Sequence, residues 1–326
     1  MTSTTAENTI HNELSPREQN VDVTVLLEND SCRVLKLIGD DGEGMMTIYQ
    51  VMDGIKLIYN DFHMSGYLSE LAHNDSGLYI DHCIEGRMEL QTGSGTVHHM
   101  EKHDMRIDRY PHYSGSCYFP LSHYHGITIC ILPKAEQALQ REFPTFSVPF
   151  AELADKFCPK GQPLTIHNDP SLENLFHCLY HLPGTVPKEY FKLKIMELLV
   201  YLSSMDVDAY KIDRPYFYTG QVEKIRAIHE LMTSDLTKTY TAEELSKRFS
   251  ISLTAMKHCF KSTYGSPIYT YLKQYRLSHA AKLLITRRDL KVSEIGAMVG
   301  YESPSKFTAA FHEVMGQTPL EYRKAH

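Results

Sequence analysis

The spacing of apolar and polar positions changes character twice along this 326-residue chain. From about Val21 to Pro133 the apolar runs have strand length: Cys32 to Ile38, Ile55 to Tyr59, Tyr79 to Gln91 and Gly126 to Leu132. Turn clusters such as Gly39-Asp40-Asp41-Gly42 and Gly93-Ser94-Gly95 punctuate them. Several short strands with turn signals predict a sandwich or barrel. From Pro170 to Met205 the period becomes helical, and Phe191, Ile195, Leu198, Leu199 and Leu202 form one apolar stripe. Asp206 to Gly220, rich in Asp, Tyr and Pro, has no period and reads as a linker. From Gln221 to His326 the pattern is helical with short breaks. The fold class expected is multidomain α+β.

The helical C-terminal region repeats one arrangement. Thr241-Ala242-Glu243-Glu244 is a capping-box sequence that opens a short helix to about Phe249. Ser250-Ile251-Ser252 breaks it, and Ser252 caps a second helix, Leu253 to Thr263, stopped by Gly265. Two short helices joined by so tight a turn match a helix-turn-helix. Val292 to Val299, Gly300-Tyr301-Glu302, and a helix capped by Ser303 with Pro304 at its first position repeat it. Phe307 and Phe311 form the inward side of that helix, which stops at Gly316. Between the two units, Pro267 to Thr286 reads as one uninterrupted helix. A rod of this length is about 30 Å long, near the ~34 Å that separates major grooves on one face of DNA.

Charge sharpens this reading. The whole chain carries a net −7, which looks wrong for a nucleic-acid binder. Residues 221–326, however, hold 16 Lys and Arg against 10 Asp and Glu, and no acidic residue lies between Glu244 and Asp289. A basic module joined to an acidic partner is the implied organisation. No run of apolar residues is long enough to span a bilayer, so no membrane partner is expected. The polar segment 1–20 lacks the apolar core of a signal peptide and reads as a disordered tail, which makes a cytoplasmic protein the expectation. The seven cysteines form no CxxC, which argues against a disulfide framework and a zinc ribbon.

Arg276-Leu277 with Ala280-Ala281-Lys282-Leu283-Leu284, then Val292-Ser293-Glu294-Ile295-Gly296, Val299-Gly300-Tyr301, Ser303-Pro304-Ser305-Lys306-Phe307, Phe311, Met315-Gly316-Gln317-Thr318-Pro319 and Glu321-Tyr322-Arg323 resemble the signature of the AraC/XylS family. The resemblance covers about a hundred residues. It implies a transcription regulator, often an activator and no enzyme, with a double helix-turn-helix domain over 221–326 that partners double-stranded DNA and RNA polymerase. It also implies a cupin-like sensor domain over 21–150 for a small-molecule effector. A helical segment over 151–205 would follow, with Phe191, Ile195, Leu198 and Leu202 forming a homodimer contact. The groove-facing residues carried over are Thr254, Lys257 and His258, with Lys261 nearer the backbone, then Pro304, Ser305, Lys306 and Ala309; Arg276 is a candidate phosphate contact. The chain departs from much of the family at Ala309, where an Arg is common. Ala makes no bidentate base contact, so the second unit is expected to position more than it reads. The run Ser305 to Phe311 resembles a subgroup that includes siderophore-responsive regulators.

The histidines of the first region offer a different chemistry. His123-Tyr124-His125 is an HxH, and His82, His98, His99, His103 and His112 lie nearby in sequence. Metal-binding cupins use an HxH, a Glu and a distant His, and imidazole is a common ligand of several metals. No Glu follows at that spacing. Strand alternation places His82 with Ile80 and Ile84, and His125 with Ile127 and Ile129, each on an apolar face. The expectation is therefore a small-molecule pocket inside the barrel lined by His82 and His125, with no metal and no cofactor. A metal-sensing regulator and a metallocupin enzyme are the alternatives.

Overall fold

The structure is a computed structural model that describes residues 21–69, 77–91, 95–109, 115–145, 148–182, 184, 186–210 and 216–326. The expected tail, Gly93, Ser94 and His112 lie outside the described residues. The chain divides into two compact units, one ending at Tyr216 and the other beginning at Phe217.

The first unit holds strands β1 (Asp22–Glu28), β2 (Cys32–Gly39), β3 (Gly42–Met52), β4 (Ile55–His63), β5 (Gly66–Ser69), β6 (Leu78–Gln91), β7 (Thr96–Glu101), β8 (Asp104–Asp108), β9 (Gly115–Tyr118), β10 (Tyr124–Ile131) and β11 (Leu164–His167). Its helices are α1 (Ala135–Glu142), α2 (Phe150–Phe157), α3 (Pro170–Tyr180) and α4 (Lys188–Ser204). The sheet runs β1-β2-β3-β4-β10-β6, and β7, β8 and β9 also pair with β6. These pairings are antiparallel. The long strand β6 is bent at Gly86, whose φ is +87°. A Cβ there would lie 2.3 Å from the His123 carbonyl oxygen, so only glycine fits. The register with β10 slips beside it, between His125 and Gly126. Beyond the bulge β6 leaves β8 and takes up β7, which curls the sheet into a half-barrel.

Strand alternation then assigns the two faces. The inner face carries Leu35, Leu37, Met46, Ile58, Phe62, Cys83 and Tyr124. Phe62, Phe119 and Tyr124 stack in series, with centroids 5.1 and 5.4 Å apart. The outer face carries Ile55, Leu57, Ile80, Ile127 and Ile129, covered by Leu139, Phe157, Phe176, Phe191 and Leu202 from the helices. Each fully buried side chain of this size contributes about 1.5–3 kcal/mol of apolar transfer free energy.

The apolar stripe of α4 corrects one expectation. Phe191, Ile195, Leu198 and Leu202 are buried inside this unit, and Phe191 lies 5.0 Å from Tyr49 of β3. They seal the sheet and leave no surface for a second copy. The outward face of α4 instead shows Leu193, 61% exposed, and Val200, 52% exposed. Lys156 of α2 donates to the carbonyls of Leu202 and Ser203 at 3.0 and 2.7 Å and caps the end of α4. The expected linker is partly structured: a short 3-10 turn spans Val207–Tyr210, and Tyr210 donates to Asp169 at 2.6 Å.

The second unit holds helices α5 (Thr219–Ser234), α6 (Ala242–Arg248), α7 (Leu253–Tyr264), α8 (Ile268–Thr286), α9 (Val292–Met298), α10 (Pro304–Met315) and α11 (Pro319–Ala325). The start of α5 at Thr219 is two residues ahead of the expected boundary. Leu245, Met256 and Phe260 are buried in the first half, and Ile295, Phe307 and Phe311 in the second, at corresponding positions of the two helix pairs. Free cysteines number seven, five of them buried.

Candidate nucleic-acid interface and the histidine region

The two helix pairs are built by the same local chemistry. The Thr241 hydroxyl accepts from the Glu244 amide at 3.1 Å, and the Glu244 carboxylate accepts from the Thr241 amide at 2.8 Å. That reciprocal bonding holds the Glu244 carboxyl below its usual range. In the second pair the Glu294 carboxylate accepts from the Lys291 amide at 2.6 Å. Ser252 caps α7 and Ser303 caps α10. Gly265 and Gly316 end them in the left-handed conformation, with φ of 83° and 71°. In each turn the residue after the first helix also has positive φ, Ser250 at 49° and Gly300 at 85°.

Thr254, Lys257, His258 and Lys261 fall at i, i+3, i+4 and i+7 of α7, and all four are exposed. Opposite them Met256, Cys259, Phe260 and Thr263 are buried. The helix thus offers one polar, basic face and anchors itself by the other. Phe217 lies edge-on to the His258 ring at 5.3 Å. Pro304, Ser305, Lys306 and Ala309 are likewise exposed on α10. That face is smaller in side chain and carries one cation.

Arg276, expected as a phosphate contact, has a partner within the domain. It is half-buried on α8, and its Nη2 donates to the Lys238 carbonyl at 2.8 Å. Its guanidinium lies against Gly300, where an added Cβ would come within 3.0 Å of Cζ. Burial lowers its pKa from the ordinary arginine value. One arm of its fork, Nη2, is thus engaged inside the domain.

The histidines of the first unit also differ from expectation. His82 and His125 face the helix layer and do not line the half-barrel interior, because β6 and β10 turn Ile80, His82, His125 and Ile127 outward. His82 is buried; its Nε2 lies 2.9 Å from the Glu173 carboxylate and its Nδ1 3.1 Å from the Tyr180 hydroxyl. The His82 ring stacks on Phe176 at 4.2 Å. Glu173 also lies 2.7 Å from His103. Desolvation lowers the His82 pKa, against the raising influence of Glu173. His125 packs edge-on to Tyr180 at 5.6 Å, whereas His123 lies 3.7 Å from Glu85, so the HxH pair serves two separate contacts. Among the described residues no three His, Cys, Asp or Glu side chains are grouped to hold a metal ion.

Glu173, Phe176 and Tyr180 were not foreseen as partners of His82. Their spacing of i, i+3 and i+7 puts a carboxylate on the inward face of α3, and that oddity was visible in the sequence. The interior instead carries its own polar group. Thr128 donates to the buried Asp81 carboxylate at 2.7 Å and accepts from Asn60 at 3.1 Å. Arg106 pairs with Asp108, and both are buried. The Tyr124 hydroxyl is buried without a hydrogen-bond partner among the described residues.

Comparison with known proteins agrees with the C-terminal geometry. A family model described as a helix-turn-helix domain matches residues 245–325. The chain is 27% identical over 92 residues to the HTH-type transcriptional activator RhaR of Enterobacter sp. (strain 638), covering 28% of this chain and 32% of RhaR. This match spans about a third of that relative's length. The chain is 23% identical over 259 residues to the thermoregulatory protein LcrF of Yersinia pestis, covering 78% of this chain and 90% of LcrF. Among solved structures, the DNA-binding domain of AdpA in complex with a target DNA is 26% identical, with a TM-score of 0.30, over 31% of this chain and 91% of that one. ToxT of Vibrio cholerae is 15% identical, with a TM-score of 0.31, over 82% of this chain and 98% of that one. Over residues 245–325 the C-terminal unit is a helix-turn-helix domain similar to those of AraC-type transcription regulators.

Proposed function

We propose that the protein is a ligand-responsive transcription activator that reads two successive major grooves with α7 and α10. The observation that carries this reading is the pairing of two capped helices, each anchored by buried aromatic or apolar side chains and each exposing a polar face. The joining helix α8 has 19 residues, a span of about 28 Å, which suits adjacent grooves. Lys257 donates to base edges, Lys261 and Lys306 neutralise phosphates, and the Ala309 face of α10 positions more than it reads. The names of RhaR and LcrF, an activator and a thermoregulatory protein, support regulation as the output; activation of transcription would make RNA polymerase a partner.

The effector site we assign to the interior of the half-barrel. The buried Asp81, Asn60, Thr128 and Arg106 offer donors and acceptors there, and the unpartnered Tyr124 hydroxyl is left for a polar group of the effector. A homodimer, if α4 forms it, uses the outward Leu193 and Val200.

The test is a titration of the full chain against the DNA upstream of its own gene and against a scrambled duplex, at two salt concentrations. Tight, salt-sensitive binding that prefers the upstream duplex is expected. Absence of binding to either duplex at low salt would overturn the regulator reading.

A further inference from the structure

Three pieces of the C-terminal unit that are distant in sequence meet at one point. The first is the loop between α5 and α6, which leads into the first helix-turn-helix. The second is Arg276, midway along α8. The third is the turn Gly300-Tyr301 inside the second helix-turn-helix. Arg276 donates to the Lys238 carbonyl of the loop at 2.8 Å, and its Nε is buried without a partner. A Cβ on Gly300 would lie 2.3 Å from the Leu236 carbonyl oxygen and 3.1 Å from the Arg276 Nη2. The loop is itself stiffened, because the Asp235 carboxylate accepts from the amide and hydroxyl of Thr237 at 3.1 and 2.6 Å. Beside the joint, Lys273 of α8 pairs with Glu313 of α10 at 2.7 Å.

We propose that Arg276 is a positioning residue that locks the orientation of α10 relative to α7, and that it makes no phosphate contact. The inference rests on the reading of α7 and α10 as recognition helices. The physical reason is preorganisation. Once α7 is seated, α10 binds as an intramolecular ligand, and its effective concentration on the DNA depends on how narrowly its direction is held. A single helix such as α8 flexes along its length. A second, direct tie between the two halves removes that freedom. The guanidinium suits the task because its rigid fork donates to a carbonyl while its Cζ and Nη2 lie close beside Gly300. Gly300 is the other half of the device, since any side chain there pushes the loop and the turn apart.

The experiment measures the joint first without DNA. Spin labels on Glu243→Cys in α6 and Ala297→Cys in α9, both exposed positions, report the distance between the two halves in the full chain. Cys32 and Cys178, the two cysteines that are not buried, are changed to Ser. One narrow distance distribution is expected for the parent, a broad one for Arg276→Met, and an intermediate one for Arg276→Lys, which keeps the charge and loses the fork. Melting curves of each variant identify any that fails to fold, and Arg276→Lys then decides the matter. An unchanged narrow distribution in the folded variants would overturn the proposal. The second arm uses the duplex that the parent chain selects from a random-sequence pool. Arg276→Met is expected to lose about tenfold on the full duplex and nothing on a duplex carrying one half. Equal loss on both, with the salt slope reduced by about 0.9, would assign Arg276 to a phosphate and sink the proposal. Failure of the parent to select any duplex would refute the regulator reading alone, and the distance measurement would still decide the role of Arg276.

Discussion

The two helix-turn-helix units share a plan and differ in what they can afford to change. In the first, the turn residue Ser250 adopts positive φ although it is not glycine, and its carbonyl accepts from Lys224 at 2.9 Å. In the second, Gly300 occupies the same place with no room for a side chain. Helix α7 exposes Thr254, Lys257, His258 and Lys261, whereas α10 exposes Pro304, Ser305, Lys306 and Ala309. The first unit carries the more polar surface and a turn that accommodates serine. The second carries a plainer surface and a turn that admits only glycine. Equivalent local chemistry has been put to unequal use, and tertiary surroundings account for the difference.

Core truncation breaks the comparison most severely. Phe307→Ala should cost about 3–5 kcal/mol and Met256→Ala about 2–5 kcal/mol, read by denaturant unfolding of the full chain. A smaller loss at Phe307 than at Met256 would show that the second unit is the less tightly packed.

Acid should separate the two halves next. His229 is packed between Tyr264, at 4.5 Å between rings, and the Tyr271 hydroxyl, at 2.9 Å. Burial pushes its pKa down from 6.5 to about 4. The folded form therefore holds the neutral ring while the unfolded chain takes up a proton. Stability from this group is complete above pH 6.5 and declines as the pH falls toward 4, by at most about 3 kcal/mol. In the second half His312 is exposed. Hydrogen exchange across that pH range should show α5, α7 and the start of α8 loosening before α9 and α10. Simultaneous loosening would remove His229 as the cause.

Smaller effects sharpen the comparison. Gly300→Ala should destabilise by roughly 2–3 kcal/mol, from backbone strain at positive φ and the approach to the Leu236 carbonyl. Lys257→Ala should cost about 1–3 kcal/mol on the selected duplex and much less on random DNA. Lys306→Ala should weaken both alike and reduce the salt slope by about 1. Equal losses from Lys257→Ala on both duplexes would mean that α7 positions and does not read. Ser250→Gly is the mildest change, a gain of about 0.5–1 kcal/mol in the melting free energy as strain at a non-glycine position is relieved.

The contrast between the C-terminal and N-terminal units shows where a sequence can be read. Capping pairs such as Thr241 with Glu244, terminator glycines and the Phe307 and Phe311 spacing act within a few residues, so the second unit was legible element by element. The half-barrel depends on pairings such as β4 with β10, whose partners are 62 to 76 residues apart. Alternation could say that His82 and Ile80 share a face. It could not say whether that face meets the barrel interior or a helix, because both are apolar. The same ambiguity misplaced the stripe of α4: a row of apolar side chains does not record whether a sheet or a second chain covers it. The partner of Arg276 was hidden for a related reason, since nothing in the sequence around a helical cation records that it donates to a carbonyl 38 residues away.

By itself the sequence determined the helical C-terminal domain, its two turn units, the polar faces they expose and the strand-rich character of residues 21–133. These follow from periodicity, capping and turn chemistry, which are local. The tertiary structure alone decided which histidines meet Glu173, which polar groups are enclosed by the half-barrel, that α4 spends its apolar stripe inside its own unit, and that Arg276 donates to the Lys238 carbonyl beside Gly300. Those outcomes depend on long-range contacts. Their energies arise from burial and close approach between segments that no short window of sequence contains.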